Sequence, residues 1–135
     1  MEAKVSIKTD VTGKIVKLLH HKQTMRGMTL IPHKTRCLQR YQIHELVTTD
    51  HKNLAPGDAI NRVGFLGFAE LSSGGVVEAG DRVFIEKQLI GTVSGFDECH
   101  FPNHYNIIIE TDRCLCADDL HLSLNAEISF LPGEQ

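Results

Sequence analysis

Along most of the chain, short apolar runs alternate with polar positions at the two-residue period of extended strands, and turn residues separate the runs. Lys14 to Leu19 predicts a strand built on Ile15, Val16, Leu18 and Leu19, ending in the polar stretch His20-His21-Lys22-Gln23-Thr24. Met28 to Ile31 is a short apolar run stopped by Pro32. From Cys37 to Val47 the alternation puts Cys37, Tyr41, Ile43 and Val47 on one face and Arg36, Arg40, Gln42 and His44 on the other. That predicts one half-buried strand with a basic outer face. Ala59 to Leu71 and Val83 to Ile90 are further strand patterns, and Ser94 to His104 reads as a loop. Tyr105 to Glu110 holds Ile107-Ile108-Ile109, β-branched on both faces as in a central strand. Leu120 to Phe130 predicts a closing strand pair. No long amphipathic helix emerges, because the best stretch, Thr35 to Thr48, carries Tyr41, Ile43 and Val47, which favour extended chain.

One phrase occurs twice. Leu54-Ala55-Pro56-Gly57-Asp58-Ala59-Ile60 is echoed by Val77-Glu78-Ala79-Gly80-Asp81-Arg82-Val83, and each copy is followed by a second glycine, Gly67 or Gly91. A Gly-Asp turn feeding a strand, then a glycine where the strand bends, is a unit of small β-barrels. With Asp58 and Asp81 capping turn N–H groups, a paired-carboxylate active site is not needed to explain them. The expected fold is all-β: a closed or nearly closed barrel of about eight strands, in a single domain over residues 1–135.

Composition narrows the function classes. With 41% hydrophobic residues, 135 residues suffice for a core without staples. Net charge is −3 and lysines and arginines are scattered, so no basic stripe with interleaved aromatics marks a nucleic-acid partner. No run approaches a membrane span, and Met1-Glu2-Ala3-Lys4-Val5 lacks a signal peptide's apolar core, so a cytoplasmic protein without a membrane partner is expected. Cys37, Cys99, Cys114 and Cys116 form no CxxC pair and read as free thiols in a reducing compartment.

From Asn61 to Phe130 the chain resembles the IIA component of the glucitol/sorbitol phosphotransferase system. The resemblance rests on Ala69-Glu70-Leu71 with a Gly-rich link to Ala79-Gly80-Asp81, on Gly91-Thr92-Val93-Ser94-Gly95, on His104 ahead of Ile107-Ile108-Ile109, and on Ala126-Glu127-Ile128-Ser129-Phe130. It implies a β-barrel scaffold. It also implies loss of the family's phosphorelay, since the two histidine positions of that family's phosphoacceptor stretch are held here by Leu66 and Phe68. Neither side chain accepts a phosphoryl group.

The densest cluster of chemically able side chains is Cys99-His100-Phe101-Pro102-Asn103-His104-Tyr105. A Pro-Asn turn can bring His100 and His104 to one point. A third ligand from His121, Cys114 or Glu110 would complete an open three-ligand site of the kind that holds catalytic zinc or iron. His121 is the expected third. Arg36, Arg40 and His44 form a second candidate, an anion-receptive face for a small polar or anionic ligand, although i and i+4 on a strand lie about 13 Å apart. His20, His21 and His33 complete a set that would matter only if the barrel carried them to His100. Neither G-x-S-x-G nor a P-loop occurs. The leading expectation is an accessory, ligand-binding barrel. Its alternatives are a small metal-dependent hydrolase, lyase or isomerase using His100 and His104, and a structural homo-oligomer. A homodimer is expected because exposed strand edges tend to pair.

Overall fold

The computed structural model describes residues 7–133, so the expectations drawn from Met1 to Val5 lie outside the described residues. The described residues are all-β, with twelve strands in chain order. They are β1 (Val11–Leu18), β2 (Lys22–Gln23), β3 (Met28–Thr29), β4 (Thr35–Leu38), β5 (Ile43–Thr49) and β6 (Ala59–Ile60). Then follow β7 (Val63–Leu71), β8 (Gly75–Glu78), β9 (Arg82–Ile85), β10 (Gln88–Asp97), β11 (Asn106–Glu110) and β12 (Glu127–Leu131). One 3₁₀ turn, Ala117–Leu120, precedes β12.

Seven strands pair in a ring, β1-β12-β9-β10-β11-β5-β7 and back to β1, and β2 adds to β7 as the eighth strand of the sheet. The nearly closed barrel expected from the alternation is therefore present. All neighbours in the ring are antiparallel except β5 and β11, which run parallel from Glu45 opposite Asn106 to Thr49 opposite Glu110. Two short ribbons, β3–β6 and β4–β8, lie outside the ring.

Two cores follow from the two faces of the central strands. Leu46, Leu66, Phe96, Ile107, Ile109 and Phe130 fill one cluster. Val47, Val63, Phe65 and Ile108 share a second with Met28 of β3 and Ile60 of β6. Ile107-Ile108-Ile109 thus feeds both cores, as its β-branched run predicts; each fully buried isoleucine contributes about 1.5–3 kcal/mol.

The repeated phrase builds the same turn twice. Ala55 N–H donates to the Asp58 carboxylate at 2.8 Å, and Glu78 N–H donates to that of Asp81 at 2.9 Å. Gly57 and Gly80 adopt φ of 91° and 97°. Asp81 is buried and also meets Lys8 at 2.7 Å. Both aspartates are structural.

Several predictions along the chain need correction: Ala59 to Leu71 divides into β6 and β7, and Ser94 to Asp97 belongs to β10 rather than to the expected loop. Cys37 to Val47 is not one strand: it breaks at Gln39–Gln42, where Tyr41 has φ 75°. Tyr41 N–H donates to the Leu71 carbonyl, and Gln39 N–H to the Gln42 side chain, so a tertiary bond and a polar side chain close a turn that no glycine announces. As a result Cys37, Tyr41 and Ile43 face solvent, and only Val47 of the expected apolar face is buried. Val83 to Ile90 is interrupted by the two-residue hairpin Glu86-Lys87, both with positive φ. Leu120 to Leu124 leaves the 3₁₀ turn as loop, so the closing pair is the single strand β12.

Gly67 lies at φ 149°, and a Cβ there would overlap the Lys17 carbonyl oxygen of β1. It marks the bulge where β7 serves β1 on one side and β5 on the other. Gly67→Ala should destabilise the protein by about 2–4 kcal/mol in urea unfolding, through strain and loss of the β1–β7 closure. An unchanged unfolding midpoint would show that the closure does not depend on this glycine.

Candidate metal centre at Glu45, His100 and His104

The loop between β10 and β11 folds back on itself in two turns, with Phe101 N–H donating to the Glu98 carbonyl and Asn103 N–H to that of His100. Asp97, the last residue of β10, anchors the loop. Its carboxylate accepts from Thr29 N–H, Cys99 N–H and the Asn106 amide, each at 3.0 Å. Burial alone would raise the Asp97 pKa, but the hydrogen bonds from Cys99, Thr29 and Asn106 prevail and hold it below its ordinary value. The imidazoles of His100 and His104 consequently stand 5.1 Å apart between ring centroids. This is the convergence expected of HxxxH on a turned loop.

The third member of the group is Glu45. Because β5 and β11 are parallel and in register, Glu45 lies opposite Asn106, two residues beyond His104. Its Oε1 is 3.1 Å from His104 Nε2, with both side chains more than nine-tenths buried. One ligand atom from each of Glu45, His100 and His104 lies within 4.8 Å of the others. For a tetrahedral ion with bonds of about 2.0–2.1 Å, ligand atoms sit about 3.3 Å apart. The Glu45–His104 spacing already suits that edge, and the exposed His100 needs a shift of at most about 1.5 Å to complete it.

The hydrogen bonds of His104 define what loading requires. The Asn103 amide N–H₂ donates to Nδ1 at 2.9 Å, so Nε2 carries the proton and donates to Glu45. As a metal ligand through Nε2, His104 would carry its proton on Nδ1 instead. Turning the Asn103 amide then presents its oxygen to the new N–H, so one side chain supports both tautomers.

His44, on the same strand as Glu45 but pointing to the opposite face, is not a ligand. Tyr105 N–H donates to its Nδ1 at 3.0 Å, and its Nε2 proton goes to the Gln42 side chain. Burial, with a smaller electrostatic contribution from nearby His104, lowers its pKa to about 4. It is a neutral, fully satisfied group in the wall of a cleft of about 470 Å³, which Tyr41, Phe68, Phe101, His104 and Tyr105 also line. The His104 ring is thus common to the ligand group and the cleft, and Phe68 meets it edge-on at 5.0 Å.

The remaining expected site residues are dispersed. His121 ends the 3₁₀ turn and borders a separate hollow with Ile85 and Leu122, so Glu45 takes the place expected for it. Arg36, Arg40 and His44 do not share a strand face. Arg36 sits on β4 with its guanidinium 5.2 Å from the Tyr105 ring centre, Arg40 covers Tyr41 in the turn, and His44 points inward. His20 pairs with Asp118 and His21 stacks on Phe65, away from the group. The four cysteines are free.

Sequence reasoning missed Glu45. The available signal was a carboxylate inside the apolar run Ile43 to Val47, a position that needs a partner if buried. The partner follows only from the parallel register.

Since the His44 pKa falls from the ordinary 6.5 to about 4 on folding, the unfolded chain binds this proton more tightly. The associated stability is complete above about pH 6.5 and is lost as the pH falls toward 4, a change of about 3 kcal/mol. In EDTA, urea unfolding of wild type should therefore weaken between pH 7 and pH 4 by about that much more than unfolding of His44→Gln. Equal pH slopes in the two proteins would refute the assignment.

A family model described as "Family of unknown function (DUF6917)" matches residues 5–131. No curated protein and no solved structure matches the chain. Among the described residues, no helix is long and apolar enough to cross a membrane.

Proposed function

The chain belongs to the DUF6917 family, and we propose that it is a small metal-dependent barrel enzyme acting on a polar molecule held in the cleft beside His104. The observation that carries this reading is the 3.1 Å approach of His104 Nε2 to Glu45 Oε1 with His100 alongside. Two imidazoles and a carboxylate suit zinc or iron(II), and three protein ligands leave a coordination position for a substrate. A bound ion there supplies Lewis acidity, which serves hydrolytic, lyase or isomerase chemistry.

The chain's own groups have distinct parts in this proposal. Glu45 contributes the charge that offsets the ion, and its burial keeps that carboxylate directed at the site. Asn103 holds the His104 ring and accepts its displaced proton in a hydrogen bond. His44 keeps its wall of the cleft neutral, being occupied on both nitrogens, and so is not offered as an acid or base.

A second reading is favoured by the walls of the cleft. Tyr41 and Phe101 are 66% and 55% exposed, and Tyr105 is capped by Arg36. Exposed rings beside a guanidinium suit binding of a small polar or anionic molecule without turnover. The resemblance to sorbitol-type IIA domains remains part of the proposal as a shared scaffold. Of its two lost histidine positions, Leu66 is buried in the core and Phe68 packs on His104. A cytoplasmic setting agrees with four free thiols, and a homodimer would use exposed strand edges.

Metal content distinguishes these readings. Untagged wild type should carry one zinc or iron per chain by native mass spectrometry and lose it to EDTA. Glu45→Gln and His104→Ala should not retain it, and Asn103→Ala should bind it about 10–100-fold more weakly. A folded wild type that takes up neither ion would refute the metal-dependent reading and leave the binding reading.

A further inference from the structure

Arg26 lies in the segment before β3, with its backbone N–H bonded to the Asn61 carbonyl. Its Nη2 reaches two acceptors, Cys99 Sγ at 3.6 Å and His100 Nε2 at 3.4 Å. Neither partner is a carboxylate. Among the described residues, no ion pair joins Arg26 to a carboxylate. A guanidinium beside a prospective cation site is otherwise a poor choice, because like charges repel.

The valence of imidazole resolves this. A guanidinium only donates, so His100 Nε2 accepts from Arg26 and its proton sits on Nδ1. Neutral imidazole has a single lone pair available for acceptance. If the metal takes Nε2, it takes the lone pair that Arg26 uses. If it takes Nδ1, the proton must move to Nε2 and face Arg26 as a donor. In either case the Arg26–His100 hydrogen bond ends when His100 becomes a ligand. The guanidinium is then released next to the ion, with the weak acceptor Cys99 Sγ as its remaining partner.

From this we infer that Arg26 is an anion-binding residue that metal loading switches on, and that the molecule bound at this centre carries an oxyanion, a carboxylate or a phosphoryl group. One oxygen of that group meets the ion and another meets the Arg26 fork, a pairing for which guanidinium geometry is suited. The inference rests on the metal-dependent reading above and names the substrate class of the same site.

The test uses full-length protein loaded with cobalt(II), whose visible spectrum reports its ligands. Inorganic phosphate and acetate are titrated separately, by absorbance and by calorimetry. Loaded wild type should bind at least one of them, and phosphate or acetate alone assigns the phosphoryl or the carboxylate class. Loaded Arg26→Gln should hold the same amount of cobalt and bind that anion at least about tenfold more weakly, with Arg26→Lys in between. Metal-free wild type, in which Arg26 remains on His100, should also bind it at least about tenfold more weakly. Wild type that takes up no cobalt overturns the metal reading and this inference together. Cobalt uptake with equal anion affinity in wild type and Arg26→Gln overturns this inference alone, as does equal affinity with and without metal, or loaded wild type that binds neither anion. Loss of cobalt from a folded Arg26→Gln would make Arg26 a support of His100 and would likewise overturn it.

Discussion

The parallel pairing of β5 with β11 is the constraint on which the candidate centre depends. Parallel neighbours start at the same end of a sheet, so the residues that enter β5 and those that enter β11 meet at one rim. Gln42, His44 and Glu45 come from one side of that rim, and Asn103, His104 and Tyr105 from the other. The backbone ladder continues into the site: Glu45 N–H donates to the Tyr105 carbonyl, and the His44 ring accepts Tyr105 N–H where a strand carbonyl would otherwise serve. An antiparallel partner would have carried the HxxxH loop to the far end of β5.

Around this pair, buried polar groups tie the outer layer to the ring. Thr48 of β5 exchanges hydrogen bonds with both backbone groups of Leu115, fixing the chain that leaves β11. Asp97 joins β3, the end of β10 and Asn106 in one carboxylate, which places Arg26 and the His100 loop on a shared support. Such a network is costly if one member is lost, since each partner is left dry and unsatisfied. The second core, with Ile108 and Val47 beneath Met28 and Ile60, holds the same layer by apolar burial.

The fold was legible where local chemistry decides it. Both Gly-Asp turns, the central isoleucine run and the strand-dominated architecture follow from residues close together in sequence. The breaks at Tyr41 and at Glu86-Lys87 were not legible, because those left-handed residues carry no glycine or asparagine signal and are held by longer-range bonds. At the site, His100 and His104 were visible because four residues of turning loop limit where two rings can go. Glu45 was hidden because its meeting with His104 spans 59 residues and depends on strand register. His121, expected as the third ligand, is held by a local 3₁₀ turn that faces elsewhere.

The ring has seven members, and that number has a consequence of parity. Up and down can alternate around a closed circuit only if the count is even; with an odd count the alternation must fail at an odd number of seams. Here it fails once, between β5 and β11. The parallel seam is therefore no local accident that substitutions along those two strands could remove. It is a topological defect enforced by the strand count, and the candidate centre occupies the rim of that defect. A relative that gained or lost one ring strand would restore even parity and could dispense with the seam, and with it the meeting of Glu45 and His104.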